Sequence, residues 1–317
     1  MSEFSLIQHY FNRSTPTAVL GVGDDAALVR VGSGMELAVS TDMLVSGTHF
    51  YPDADPYKLG QKVLAVNLSD MAAMGAQPRW ATLALSLPSE DDAWLEQFSE
   101  GFFSLADQYK VELIGGDTTK GPLNLCVTIM GEVPQGKALR RDGAKPGDEV
   151  WVSGRLGDAA LALAHFQGKQ VLTQTSLSEV LKALHTPTPR VALGIALRGL
   201  ASSVIDVSDG MLADLGHILE RSGNAAHVQF AALPVSEHLL PYLAQALGRQ
   251  CVLAGGDDYE LCFTAPLAKH KAIENLSSEL DLSLSCIGKI VEGSGYIVYA
   301  ADGSVMKIGE AGYDHFK

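Results

Sequence analysis

At 317 residues, with 47% apolar and 19% charged residues, the chain has the mass of two domains and the composition of an ordinary soluble globule. Its net charge of −14 argues against a nucleic-acid binder, and fits either acids partly neutralised by bound metal or a generally acidic surface. Four cysteines without CxxC spacing exclude a zinc ribbon and point to buried thiols in a reducing compartment; with no 18-residue apolar run and no signal peptide, the expected location is the cytoplasm, off the membrane.

Residues 3–12 read as a short helix with Leu6, Ile7 and Phe11 able to pack. Gly21-Val-Gly23-Asp24-Asp25 precedes a predicted strand at 28–31, which Gly32-Ser-Gly34 turns into a second strand, 36–40, delivering Thr41-Asp42 as one arm of a hairpin. Residues 56–66 read as a helix. The apolar run 64–75 then carries Asn67, Ser69 and Asp70, a costly placement unless partners are supplied. A strand over 79–87 is followed by Ser89, a capping residue with acids after it, and by Trp94, Phe98, Phe102 and Leu105 at helical spacing. Strand 111–114 ends in Gly115-Gly116-Asp117-Thr118-Thr119, and strand 123–133 follows.

The polar, turn-rich stretch 135–148 marks a boundary between domains over 1–138 and 147–317. Beyond it the pattern predicts a strand at 149–152 and a helix from Gly157-Asp158 to Phe166. Helices at 176–184 and 190–200, a strand at 204–207 and a helix at 211–220 come next. Strands near 227–230, 259–264, 284–291 and 296–300 end the chain, so both halves mix strands and helices as an α/β or α+β fold does. Asp70 and Asp117 with their neighbours are echoed at Asp209 and Asp257, offsets of 139 and 140 residues, a hint of duplicated layout.

No P-loop, dinucleotide fingerprint, nucleophile elbow or HExxH motif occurs. What remains is a series of acids at the edges of apolar runs. Oxygen ligands of this kind suit Mg2+, which a triphosphate requires, although Asp beside Gly also makes caps and turns. Asp25, Thr41, Asp42, Asp70, Asp117 and Asp206 are the candidates. Ser208 and the amides near Gly210 are placed to meet phosphate at a helix start. Arg140, Arg141 and Lys145 either neutralise transferring charge or line a solvated loop. His49 is either a loop histidine or a phosphate contact, and 257–260 either faces substrate or begins a strand.

Taken in order, Gly23-Asp24-Asp25, Ser40-Thr41-Asp42, His49-Phe50, Asn67-Leu-Ser-Asp70-Met-Ala-Ala-Met-Gly75, Gly115-Gly-Asp-Thr-Thr119, Arg141-Asp-Gly-Ala-Lys-Pro-Gly-Asp148, Asp206-Val-Ser-Asp-Gly210, Gly255-Gly-Asp-Asp-Tyr-Glu-Leu261 and Gly312-Tyr-Asp-His-Phe316 resemble the thiamine-monophosphate kinase family over nearly the whole chain. The resemblance implies the two-domain aminoimidazole ribonucleotide synthetase-like fold, with a mixed or antiparallel N-terminal sheet and helices, a C-terminal α/β domain, and a homodimer joined through the N-terminal sheets. It implies ATP as co-substrate and thiamine monophosphate as acceptor, with several Mg2+ ions held by Asp25, Ser40, Thr41, Asp42, Asp70, Asp117, Asp206 and Asp209. It places nucleotide contacts on Gly116, Asp117, Arg141 and Ser208, with Tyr109 nearby. Substrate contacts fall on His49, Asp257 and Tyr313, and Asp42, Asp70 and Arg141 are the catalytic candidates. Asp257 departs from the Glu usual in the family, a shorter reach that a water can bridge, and Tyr313 stands where some relatives have Trp. Rival readings are another ATP-using member of the superfamily, a non-catalytic metal or nucleotide sensor, and a metal-dependent hydrolase.

Overall fold

A computed structural model describes residues 3–309 and 312–313, so 314–316 of the closing motif lie outside the described residues. The chain forms two compact units: residues 1–71 with 76–136, and residues 72–75 with 137–317.

The first unit opens with α1 (Glu3–Leu6), which continues as a π-helical turn to Phe11. Its sheet has the order β1 (Met35–Val45), β4 (Asn124–Pro134), β2 (Gln77–Leu87), β3 (Glu112–Lys120). β4 is antiparallel to both neighbours, and β2 and β3 run parallel because α3 (Asp92–Tyr109) carries the chain back between them. Period-2 alternation sets the buried face. Leu125, Val127 and Ile129 are fully buried, whereas Cys126, Thr128 and Met130 between them are not. On α3 the apolar stripe is core: Phe98 and Phe102 are buried, and Trp94 stacks on Phe98 at 4.9 Å. α2 (Pro56–Ala73) crosses α3 at main-chain contact. A β-carbon on Gly101 would overlap the Tyr57 carbonyl, and one on Gly60 the Phe98 carbonyl.

The second unit holds a sheet of order β10 (Gly295–Tyr299), β7 (Ala225–Gln229), β9 (Leu284–Val291), β5 (Asp148–Ser153), β8 (Leu261–Pro266), β6 (Ser203–Asp206). All neighbours are antiparallel except β10 and β7. Its helices are α4 (Asp158–Phe166), α5 (Gln174–His185), α6 (Val191–Ala196), α7 (Met211–Ser222), α8 (Ala246–Ala254) and α9 (His270–Glu279). Val150, Val152, Leu161, Leu212, Leu215 and Ile218 form the centre of its core.

Four expectations are corrected. Residues 28–31 form no strand: Leu28 bridges only Leu20 and is 55% exposed, and β1 finds its partner in β4 instead. An apolar alternation does not create a neighbour to pair with. The α3 cap is Asp91, which accepts from the Trp94 amide at 3.0 Å, and not Ser89. Helices α8 and α9 were not anticipated; α9 is mostly polar, with Ile273 and Leu276 as its buried residues. The internal echo does not extend to local structure, because Asp70 sits inside α2 and Asp209 in a loop, while Asp117 is in β3 and Asp257 precedes β8.

Candidate functional site

In the first unit, strand alternation sorts the predicted residues by face. Ala38, Ser40, Asp42 and Leu44 lie on the more protected face of β1, and Leu37, Val39, Thr41 and Met43 on the exposed one. The protected face meets α2. The Ser40 hydroxyl donates to Asp70 Oδ2 at 2.6 Å, and the Asp42 amide donates to Asn67 Oδ1 at 3.2 Å. Asn67 is itself anchored, its Nδ2 donating to the Val63 carbonyl at 2.9 Å. α2 is therefore polar at Asn67 and Asp70, where it faces β1, in an otherwise largely apolar helix. This pairing is what lets a carboxylate sit in so apolar a helix.

Thr41 is turned away, its hydroxyl sharing a hydrogen bond with Thr128 at 2.8 Å, so only its main chain can join Ser40 and Asp42 in a ligand set. Gly116 and Asp117 occupy the opposite edge strand, three strand spacings from β1, on the order of 14 Å. Asp117 pairs in register with the exposed Ala84 and shares the Thr41 face. Asp25 is exposed in the irregular segment before β1. His49 closes a turn after β1, its Nδ1 accepting from the Val45 amide at 3.0 Å. Tyr109 ends α3.

In the second unit, Asp206 ends β6, and Ser208 and Asp209 occupy the short loop that runs on to α7. The Ser208, Asp209 and Gly210 amides all donate to one oxygen, Asp214 Oδ2, at 3.0, 3.1 and 3.1 Å. The expectation that these amides greet a phosphate is therefore corrected: the helix start is satisfied from within by its own fourth residue. Burial, then the charges of Asp206 and Asp209, push the Asp214 pKa up to about 7 despite the three donors.

Main-chain bonds also tie this loop to the predicted substrate residues. The Val207, Ser208 and Asp209 carbonyls accept from the amides of Tyr259 (2.8 Å), Asp257 (2.9 Å) and Tyr313 (3.0 Å). Asp257 and Tyr259 adopt left-handed backbone, φ 68° and 49°, and the Tyr259 hydroxyl donates to Asp257 Oδ1 at 3.1 Å. Such strain persists only where neighbours enforce it. Here Asp258, buried, takes the Gly157 amide on both oxygens, and burial raises its pKa well above the ordinary carboxylate value. Glu260 is held by the Arg190 guanidinium (2.7 and 2.5 Å) and by Ser153 (2.5 Å). Of the two linker arginines, Arg140 is committed to Asp142 by two bonds, at 2.9 and 2.5 Å, whereas Arg141 is exposed.

The structure thus joins Ser40, Asp42 and Asp70 in one unit, and Asp206, Ser208, Asp209, Asp257 and Tyr313 in the other. Among the described residues no three His, Cys, Asp or Glu side chains form a ready-made metal cluster. The donor set is nonetheless all oxygen, carboxylates and hydroxyls, which is the chemistry that suits a hard cation such as Mg2+. Asp214 and Arg190 escaped sequence reading, and Asn67, Asp258 and Glu260 were singled out without their partners, since main-chain and ion-pair contacts leave no periodic or motif signal.

Residues 23–133 match the AIR synthase related protein, N-terminal domain. The thiamine-monophosphate kinase of Escherichia coli (strain K12) is 46% identical over 318 residues, 99% of this chain and 98% of that protein. The crystal structure of the thiamine-monophosphate kinase from Stenotrophomonas maltophilia K279a superposes with a TM-score of 0.87 at 48% identity, covering 96% of this chain and 98% of that one. AaThiL complexed with AMPPCP and TMP superposes at 0.79 with 30% identity, covering 99% of this chain and 96% of that one. A two-sheet α/β fold and likeness over the full length agree: the chain belongs to the thiamine-monophosphate kinase family of phosphotransferases.

Proposed function

We propose that this protein transfers the γ-phosphoryl group of ATP to the phosphate of thiamine monophosphate, yielding ADP and thiamine diphosphate. What carries the reading is the likeness over the whole chain to thiamine-monophosphate kinases. One terminal phosphate oxygen of the acceptor attacks the γ-phosphorus in line as the bond to the β,γ-bridging oxygen breaks. The acceptor is already an anion, so no strong base is needed, and positioning and charge neutralisation carry the catalysis.

Asp25, Ser40, Asp42, Asp70, Asp117, Asp206 and Asp209, with the Thr41 main chain, are the residues that would hold several Mg2+ ions. Bound Mg2+ supplies the positive charge that phosphoryl transfer needs. Gly116, Asp117, Ser208 and Arg141 are assigned to the nucleotide, with Arg141 stabilising charge in the transition state. His49, Asp257 and Tyr313 are assigned to thiamine monophosphate, the tyrosine ring stacking on a flat substrate ring. The exposed Leu37, Val39 and Met43 of the edge strand β1 support a homodimer through that face.

The test is turnover of purified protein with Mg-ATP and thiamine monophosphate, with free thiamine in parallel. Product from the monophosphate alone, abolished by chelator, supports the assignment; no product from folded protein overturns it. Asp70→Asn, whose carboxylate Ser40 steadies, is expected to lower kcat by roughly a hundredfold or more while leaving the melting transition intact. Near-normal turnover would remove Asp70 from the ligand set.

A further inference from the structure

Asp214 has no part in the roles assigned so far. It is 3% exposed and rises from α7, whose Met211, Leu212, Leu215 and Ile218 are fixed in the core. One of its oxygens gathers three consecutive amides, those of Ser208, Asp209 and Gly210. On the same stretch, the three consecutive carbonyls of Val207, Ser208 and Asp209 are taken by Tyr259, Asp257 and Tyr313. The loop main chain is thus clasped on both sides.

We propose that Asp214 is a positioning residue: by holding the 208–210 amides it sets the loop assigned to metal and nucleotide and, through the carbonyls of that loop, the main chain of the substrate residues Asp257 and Tyr313. The ligand identities in this statement rest on the proposed function; the clasp itself does not. What the three donors require is an acceptor oxygen, which an asparagine also offers. A group that orients ligands without touching the ion characteristically changes metal affinity or activity by roughly tenfold to a hundredfold when lost.

The experiment compares Asp214→Ala, Asp214→Asn and Gly312→Ala. A β-carbon on Gly312 would lie 2.5 Å from the Ala213 β-carbon and 2.8 Å from the Asp209 carbonyl oxygen, so this variant disturbs the clasp with Asp214 intact. Hydrogen exchange of the peptide spanning 206–212 is measured on ligand-free protein. The Mg2+ half-saturation and both KM values are measured in turnover. Asp214→Ala is expected to deprotect the 208–210 amides and to raise all three constants together by roughly tenfold or more. Asp214→Asn should restore protection and constants, and Gly312→Ala should move them as the alanine does. Unchanged exchange in a folded Asp214→Ala overturns the clasp, as does an Asp214→Asn that keeps protection but loses Mg2+ response, which would make Asp214 a ligand. Should Asp214→Ala not fold, Asp214→Asn and Gly312→Ala decide alone. A wild-type protein inactive on thiamine monophosphate would sink the proposed function while exchange still reads the clasp.

Discussion

A histidine nitrogen that accepts from a main-chain amide has its tautomer chosen for it. With Nδ1 of His49 occupied by the Val45 N–H, the ring proton belongs on Nε2, so the side chain is a donor in its neutral form. If it donates to the acceptor phosphate, His49→Gln, whose amide nitrogen reaches about as far as Nε2, should keep KM for thiamine monophosphate near wild type. His49→Asn, mimicking only Nδ1, should raise that KM roughly tenfold or more, the loss expected of a hydrogen bond to a charged group. Equal KM values for both variants would remove the contact. His270 gives a prediction about stability. Its hydrogen bond to Glu149 raises its pKa above 6.5, partly opposed by desolvation. A folded-state pKa above the unfolded one stabilises fully below pH 6.5, and the contribution is lost as pH climbs through the folded value. Wild-type Tm should therefore fall relative to His270→Gln between pH 6 and pH 9, and parallel curves would show that the pair contributes nothing. Residues of this kind were only partly legible. Asp70 is visible as a charge in an apolar run, but Asp257 and Asp258 are adjacent and chemically identical, and only the fold makes one half-exposed and the other a buried acceptor.

Elements were legible where their own side chains specify them. Trp94, Phe98 and Phe102 announce α3 because a three-to-four stripe needs no knowledge of its partner. The strand at 28–31 failed because pairing is a property of two segments, and the true partner of β1 lies about ninety residues downstream. Segments carrying acidic motifs also ran on further than their patterns predicted: α2 continues through Asp70 and β3 through Asp117, so rigid elements, not loops, hold both carboxylates. The α2–α3 crossing had no signal in periodicity, because its cause is two missing side chains. Gly101→Ala forces a methyl into the Tyr57 carbonyl and should destabilise the protein by about 1–3 kcal/mol, the usual cost of overpacking. Urea denaturation reads this directly; an unchanged midpoint would mean that the helices part easily.

At the scale of the molecule, the faces of the first sheet have different fates. One is covered by its own helices, and the other leaves Leu37, Val39 and Met43 at 39–57% exposure. If the proposed homodimer forms through this strip, Val39→Lys, central in it, should shift the protein to monomer in sedimentation velocity without lowering its helical circular dichroism; a dimer that persists would place the interface elsewhere, and a monomeric wild type would remove it. The same strand has a second consequence, in time. Among the described residues β1 pairs only with β4, and Asn124 is made 89 residues after Met35. At a synthesis rate of roughly 5–20 residues per second, a strand with an apolar face waits on the order of 5–20 s on the ribosome with no complement. Nascent chains arrested before β4 should therefore be cleaved by protease within 35–45, and chains released past Pro134 should resist, making the birth of this fold a matter of the second half of its first sheet arriving in time.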